Sequence, residues 1–161
     1  MSLRRVSPAS LEALLTLHNA GILRNNNDVT ITPEIQDQCS TWEPSVGFDD
    51  KSGNIILLDL GSARLRKGFP ESVSMKQLFA SKTFQQLQTL NLGATDLPIP
   101  DTIALLQILS ETLECLYLGG NCLCDAGAEK ICAWLPSARQ LRKLDLRYNE
   151  IGPSGCASLC D

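Results

Sequence analysis

The 161 residues hold one histidine, two tyrosines and two tryptophans, few of the ring side chains that often titrate or anchor contacts at functional sites. With His18 alone, Ser/His/Asp or Cys/His catalysis would have to run through one residue in the N-terminal third. A nucleophile needs an adjacent base held in place, so no catalytic residue is assigned. His18 falls instead at the end of a helical pattern, where its charged form suits the helix dipole. No run approaches 18 apolar residues, so no membrane span is expected. No N-x-S/T site occurs, and the leucine cluster at 11–17 contains Glu12, too short and too acidic for a signal-peptide core. No phosphate loop or dinucleotide fingerprint is present, because Gly119-Gly120 precedes Asn121 and not a helix start. No cofactor is therefore expected.

Charge is scarce in a different sense. The net value is −4, with acidic and basic residues interspersed, which argues against a broad phosphate-binding face. A local exception is the basic patch Arg64, Arg66, Lys67, which leaves open a subunit that touches RNA. Asp49 and Asp50, next to Lys51 and Gly53, read as a solvated turn and not as a catalytic pair.

Seven cysteines, an odd number, fit a reducing intracellular compartment better than a disulfide framework. Cytoplasm and nucleus both suit; Arg4 and Arg5 among serines keep a mitochondrial presequence open. The C-x-C at Cys122 and Cys124, with Cys132, Cys156 and Cys160, raises a metal site, but zinc ligands commonly come as C-x2-C pairs with histidine or further cysteine partners. Leu123 between the two should point inward, and Cys132 and Cys156 fall where small buried side chains are suited. The expectation is free thiols and no metal.

The chain does contain a strong self-similarity. Leu113-Glu-Cys-Leu116-Tyr-Leu118-Gly-Gly-Asn121-Cys-Leu123 returns 28 positions later as Leu141-Arg-Lys-Leu144-Asp-Leu146-Arg-Tyr-Asn149-Glu-Ile151. Gly127 and Gly155 follow in step, as do Ile131 and Leu159. Weaker copies run Leu87 to Leu97, with Thr95 in the asparagine slot, and Ile55 to Leu65, with Ala63 there. Alternating leucines turn one strand face into a core. The asparagine amide can then hydrogen-bond the backbone groups that the following turn leaves unpaired, making Thr95, Asn121 and Asn149 structural turn residues.

Each copy continues into a helical pattern. These are Met75, Leu78, Phe79 and Phe84 in the first copy; Ile103, Leu105, Leu106, Ile108 and Leu109 in the second, opened by Pro100 and Asp101; and Ala128, Ile131, Cys132 and Leu135 in the third, with Asp125 as N-cap. Trp134 packs between helices or anchors a partner outside them; both readings stand.

A period in the twenties with L-x-x-L-x-L-x-x-N-x-L resembles leucine-rich repeat proteins, specifically the ribonuclease-inhibitor-like subfamily, clear in 113–161 and weaker in 55–112. The resemblance implies an α/β fold: a right-handed solenoid of about four strand–helix repeats, strands on the concave side. Residues 1–54 do not repeat and are read as an N-terminal cap; residues 55–161 form the repeats, in one continuous domain. Within the cap, Ser7-Pro8 opens a helix carrying Leu11, Leu14, Leu15 and Leu17, and Trp42, Gly47 and Phe48 lead through a polar turn into the first strand. The latter run weakly resembles the cap of plant-type repeat proteins, which carries paired cysteines; Asp49 and Asp50 stand where the second is expected, so only the capping role is carried over. The last helix stops at Asp161 after barely two turns, giving the expectation that Leu144, Leu146, Ile151 and Leu159 keep an open flank.

Residues flanking the inward leucines should project on the concave face: Leu57, Asp59, Gly61 and Ser62; Thr89, Asn91, Gly93 and Ala94; Cys115, Tyr117, Gly119 and Gly120; Lys143, Asp145, Arg147 and Tyr148. Gly61, Gly93 and Gly119 align in a row, either to admit a partner backbone or only to satisfy the strand exit. Tyrosine and arginine beside them are the types enriched at interface hot spots. The partner-binding candidates are accordingly Asp59, Asn91, Tyr117, Lys143, Asp145, Arg147 and Tyr148. The function expected is a non-catalytic protein-interaction module, an adaptor or a structural subunit of a larger assembly; the alternative is a ribonucleoprotein-associated subunit.

Overall fold

In a computed structural model, the structure describes residues 6–19, 46–61, 79, 82–109 and 111–160. Cys39, Trp42, Ser62, the Arg64, Arg66 and Lys67 patch, Met75 and Leu78 lie outside them, as do Arg4 and Arg5.

Helix α1 (Pro8–Asn19) starts where a hydroxyl can cap it: Ser7 Oγ accepts the Ser10 N–H at 3.1 Å. Ala13, Leu14 and Leu17 are buried, and the Ser7 N–H donates to the Gly53 carbonyl at 3.0 Å, tying the helix to the next element. That element is a hairpin, β1 (Val46–Phe48) antiparallel to β2 (Ile55–Asp59). Its turn is closed by Asp49, whose Oδ2 accepts the Ser52 N–H at 2.7 Å and the Ser52 hydroxyl at 2.8 Å; these donors hold the Asp49 carboxyl below its usual range. The sequence marks β1 only as a lead-in, because three residues centred on Gly47 give no alternation to detect.

Strands β3 (Thr89–Asn91), β4 (Cys115–Tyr117) and β5 (Lys143–Asp145) continue the sheet in parallel, in the order β1-β2-β3-β4-β5. Leu58, Leu90, Leu116 and Leu144 face one another across the register. The first three are fully buried, each stabilising the fold by roughly 1.5–3 kcal/mol relative to exposure. Leu144 is half-buried, as are Leu146 and Ile151, whereas Leu118 and Leu123 in the preceding repeat are covered.

Behind the strands lie α2 (Ile99–Leu109), α3 (Cys124–Trp134) and α4 (Pro153–Cys160). Helix α2 buries Thr102, Leu105, Leu106 and Leu109; Ile103 and Ile108 are only half-covered. In α3, Gly127, Ala128, Ile131 and Trp134 face inward. A Cβ on Gly127 would lie 2.6 Å from the Leu123 Cβ, and one on Gly155 would lie 2.7 Å from Ile151 Cγ2, which accounts for glycine at both equivalent positions.

Two expectations are corrected. Asp125 does not cap α3: it lies inside the first turn, with Leu123 at the N-cap and no side-chain cap bond there. Its Oδ1 instead accepts the Gly152 N–H at 2.6 Å, so the carboxylate joins one repeat to the next. In the first copy Phe79 is helical as expected, but Phe84 lies in a separate short 3-10 segment (Lys82–Gln86); the two rings fill the core there with centroids 4.6 Å apart.

Candidate functional site

The parallel register sorts the concave candidates into rows. Leu57, Thr89, Cys115 and Lys143 form one; Asp59, Asn91, Tyr117 and Asp145 form the next. Gly61, Gly93, Gly119 and Arg147 follow two residues further on, at the strand exits.

In the second row most of the polar side chains turn onto their own chain. Asp59 Oδ1 accepts the Gly61 N–H at 2.8 Å, Asn91 Oδ1 the Gly93 N–H at 2.9 Å, and Asp145 Oδ1 the Arg147 N–H at 3.0 Å. Tyr117 occupies the same slot in the third repeat and has no such acceptor to offer. The signal for this difference lies in the sequence itself: aligned position by position, the four copies read D-N-Y-D at this slot. The glycines follow from the closeness of successive turns: a Cβ on Gly61 would lie 2.7 Å from both amide atoms of Asn91, and one on Gly119 would lie 3.3 Å from the Arg147 carbonyl. Their φ angles are ordinary, so close approach, and not a left-handed turn, is what excludes side chains.

Beneath the strand exits runs a ladder of amides. Asn121 is 7% exposed; its Nδ2 donates to the Leu92 carbonyl at 2.7 Å and to the Leu118 carbonyl at 2.9 Å. Its Oδ1 accepts the backbone N–H groups of Thr95 at 3.0 Å and Asp96 at 3.1 Å. Asn149, 2% exposed, repeats this one step on, accepting the Asn121 N–H at 2.9 Å and donating to the carbonyls of Leu118 and Leu146, both at 2.9 Å. Thr95 is buried and donates to the Leu92 carbonyl at 2.8 Å, but its single hydroxyl has no second donor for an earlier repeat.

The ladder bends the backbone on both sides of each slot. Ala94, Gly120 and Tyr148 precede it with φ of 52°, 70° and 59°; Asp96, Cys122 and Glu150 follow it with 54°, 52° and 56°. For Tyr148 this conformation is unusual, and the side chain is 86% exposed. Beside it Arg147 pairs with Asp145, Nη2 to Oδ2 at 2.7 Å and Nε to Oδ1 at 2.9 Å. The guanidinium holds the Asp145 carboxyl at about 2, well below the ordinary carboxylate range. Lys143 Nζ sits 4.9 Å from the Tyr117 ring centroid, and the Tyr117 hydroxyl beside it raises the ammonium above its usual value.

Trp134 lies between helices: it is 4% exposed and its indole N–H donates to the Leu106 carbonyl at 2.9 Å. It walls an open groove of about 500 Å³ with Ile103, Gln107, Lys130, Ala133 and Ser137. The buried places expected for Cys132 and Cys156 are corrected: Cys156 is exposed and Cys132 half-covered; Cys122 and Cys124 are exposed on either side of the inward Leu123. Cys122 and Cys124 both have φ of 52°, a turn geometry that sends Leu123 between them into the core and leaves the two thiols outside. Among the described residues, no three His, Cys, Asp or Glu side chains converge as metal ligands, and no helix is long and apolar enough to cross a membrane.

The leucine-rich repeat family model matches residues 109–132 and 138–160, the two copies whose asparagines complete the ladder. The chain carries leucine-rich repeats. NACHT, LRR and PYD domains-containing protein 9 of Bos taurus is 33% identical to it over 107 residues, 66% of this chain and 11% of the relative. The chain therefore spans about a ninth of that relative's length. No solved structure matches. Leucine-rich repeat domains generally mediate protein–protein contacts, and the α/β architecture, with a sheet parallel from β2 to β5, fits that fold.

Proposed function

We propose that this leucine-rich repeat protein is a non-catalytic interaction module whose concave strand exits bind a protein partner. One observation carries the reading. Tyr148 is 86% exposed in a left-handed backbone, and among the described residues no other large apolar side chain is exposed. Ala94 and Gly120 occupy the equivalent turn positions without a large side chain, so the turn itself does not need tyrosine. A strained, solvent-facing aromatic next to an oriented arginine is what an interface anchor looks like before its partner arrives. Tyr117 and Lys143 extend the same surface; Asp59, Asn91 and Asp145 shape it by closing their own turns.

On this reading residues 55–161 form a right-handed solenoid of the ribonuclease-inhibitor-like kind, residues 1–54 cap its first strand, and the protein serves an intracellular assembly as adaptor or structural subunit. The test is a photo-crosslinking amino acid placed at 148, with a second at the convex position 133 as control. Recovery of one defined protein through 148 and not through 133 supports the proposal. Equal recovery from both faces, or from 133 alone, overturns it.

A further inference from the structure

We infer that the partner presents an aspartate or glutamate side chain to the strand exits of the third and fourth repeats, between Gly119 and Lys143; this rests on the concave-face reading above. The four strand exits differ in one respect. The N–H groups of Gly61, Gly93 and Arg147 are taken by a carboxylate or carboxamide two residues earlier. The Gly119 N–H has no acceptor among the described residues, because its strand carries Tyr117 in that slot. The Cβ position of Gly93, 4.0 Å from this nitrogen, is vacant because the residue is glycine, and the Asp145 Oδ1 lies 3.8 Å from where a Cβ on Gly119 would stand.

Two further features bias the position toward a negative group. Lys143 is held over the Tyr117 ring, 4.9 Å from its centroid, with no carboxylate in salt-bridge contact among the described residues. Asp145, the nearest acid in the row, is occupied by Arg147, whose Nε and Nη2 both donate to the carboxylate. Among the described residues the third repeat thus offers an open backbone donor and a phenol, the fourth an ammonium without a paired carboxylate, and the Asp145 carboxylate beside them is matched by Arg147. An incoming carboxylate would supply the acceptor that the other three repeats carry themselves, through the same charge-assisted bond that Asp59 and Asp145 make. The row of glycines leading to it lets an extended segment lie close to the sheet, and Tyr148 stands at the end of that path.

The experiment is an amide-resolved NMR titration of the whole chain with two blocked peptides, Ac-Ala-Val-Glu-Val-Ala-amide and its glutamine counterpart. The expected result is a saturable downfield shift of the Gly119 amide with the glutamate peptide, binding about tenfold tighter than the glutamine one. Tyr117→Asp should place an internal acceptor on Gly119 and remove that preference while the melting temperature holds or rises. Lys143→Gln, which leaves the turn intact, should reduce the preference. If both peptides bind alike at Gly119 and Tyr148, the acidic preference is wrong and the interaction face stands. If neither shifts Gly119, this inference fails, and crosslinking at 148 decides the face separately.

Discussion

Asn121 Oδ1 lies 3.0 Å from the backbone nitrogen of Thr95, a residue 26 positions earlier, so each asparagine serves the turn of the repeat before it. The amide is buried and makes bonds in both directions, which leaves little room for water to replace it. Asn121→Ala should therefore cost about 3 kcal/mol, near the upper end for unsatisfied buried groups. Urea unfolding followed by circular dichroism would measure it. A loss below about 0.5 kcal/mol would show that the ladder is replaceable by solvent.

Tyr148 should separate stability from binding. Its φ of 59° suits glycine, so Tyr148→Gly is expected to stabilise the fold by about 1 kcal/mol. The same change should weaken partner binding about thirtyfold, as loss of a hot-spot aromatic does. Thermal melts and calorimetry on one variant give both signs. Loss of stability together with loss of binding would point to a packing role instead.

The Arg147–Asp145 pair gives a pH signature. Asp145 titrates at about 2 in the folded chain because the guanidinium holds its charge. Its folded value is below that of the unfolded chain, so its stabilisation is complete above about pH 4 and is lost as pH falls through about 2. Screening of this surface pair limits the effect to about 1 kcal/mol or less. Arg147→Ala should return the Asp145 carboxyl toward 3.8, read by carbon NMR titration.

Thiol accessibility should be uneven. Cys122, Cys124 and Cys156 are exposed and should react with a thiol reagent in the native state, ahead of half-covered Cys115 and Cys132. Mass spectrometry of partially labelled protein would rank them. Slow reaction at all three exposed positions would contradict the turn geometry of the last two repeats.

Indole burial offers a further contrast. Trp134 donates to the Leu106 carbonyl, and Trp134→Phe leaves that acceptor without its donor in a covered site. The expected loss is about 1–2 kcal/mol. Unchanged stability would place the tryptophan outside the packing between α2 and α3.

The repeat and its strand–helix alternation are legible in the sequence because both are local. Leucines spaced by two and three, followed by an asparagine, state a strand, a buried face and a turn within a dozen residues. The family match to 109–132 and 138–160 falls on the copies where that pattern is complete. Strand β1 is not legible: V-G-F has no period, and it becomes a strand only because β2 offers it an antiparallel edge. The bond from Asp125 to Gly152 is equally hidden, since a residue next to a helix start reads as its cap, and the true acceptor geometry spans 27 positions. Which concave side chains remain free is also a tertiary matter. Counting along the chain places Asp59, Asn91, Tyr117 and Asp145 in one row. Only the folded turns decide that three of them reach back to their own backbone, while among the described residues the Gly119 N–H is left open. The physical reason is that spacing along a chain fixes which face a residue occupies, whereas hydrogen bonds are allotted by distance in three dimensions.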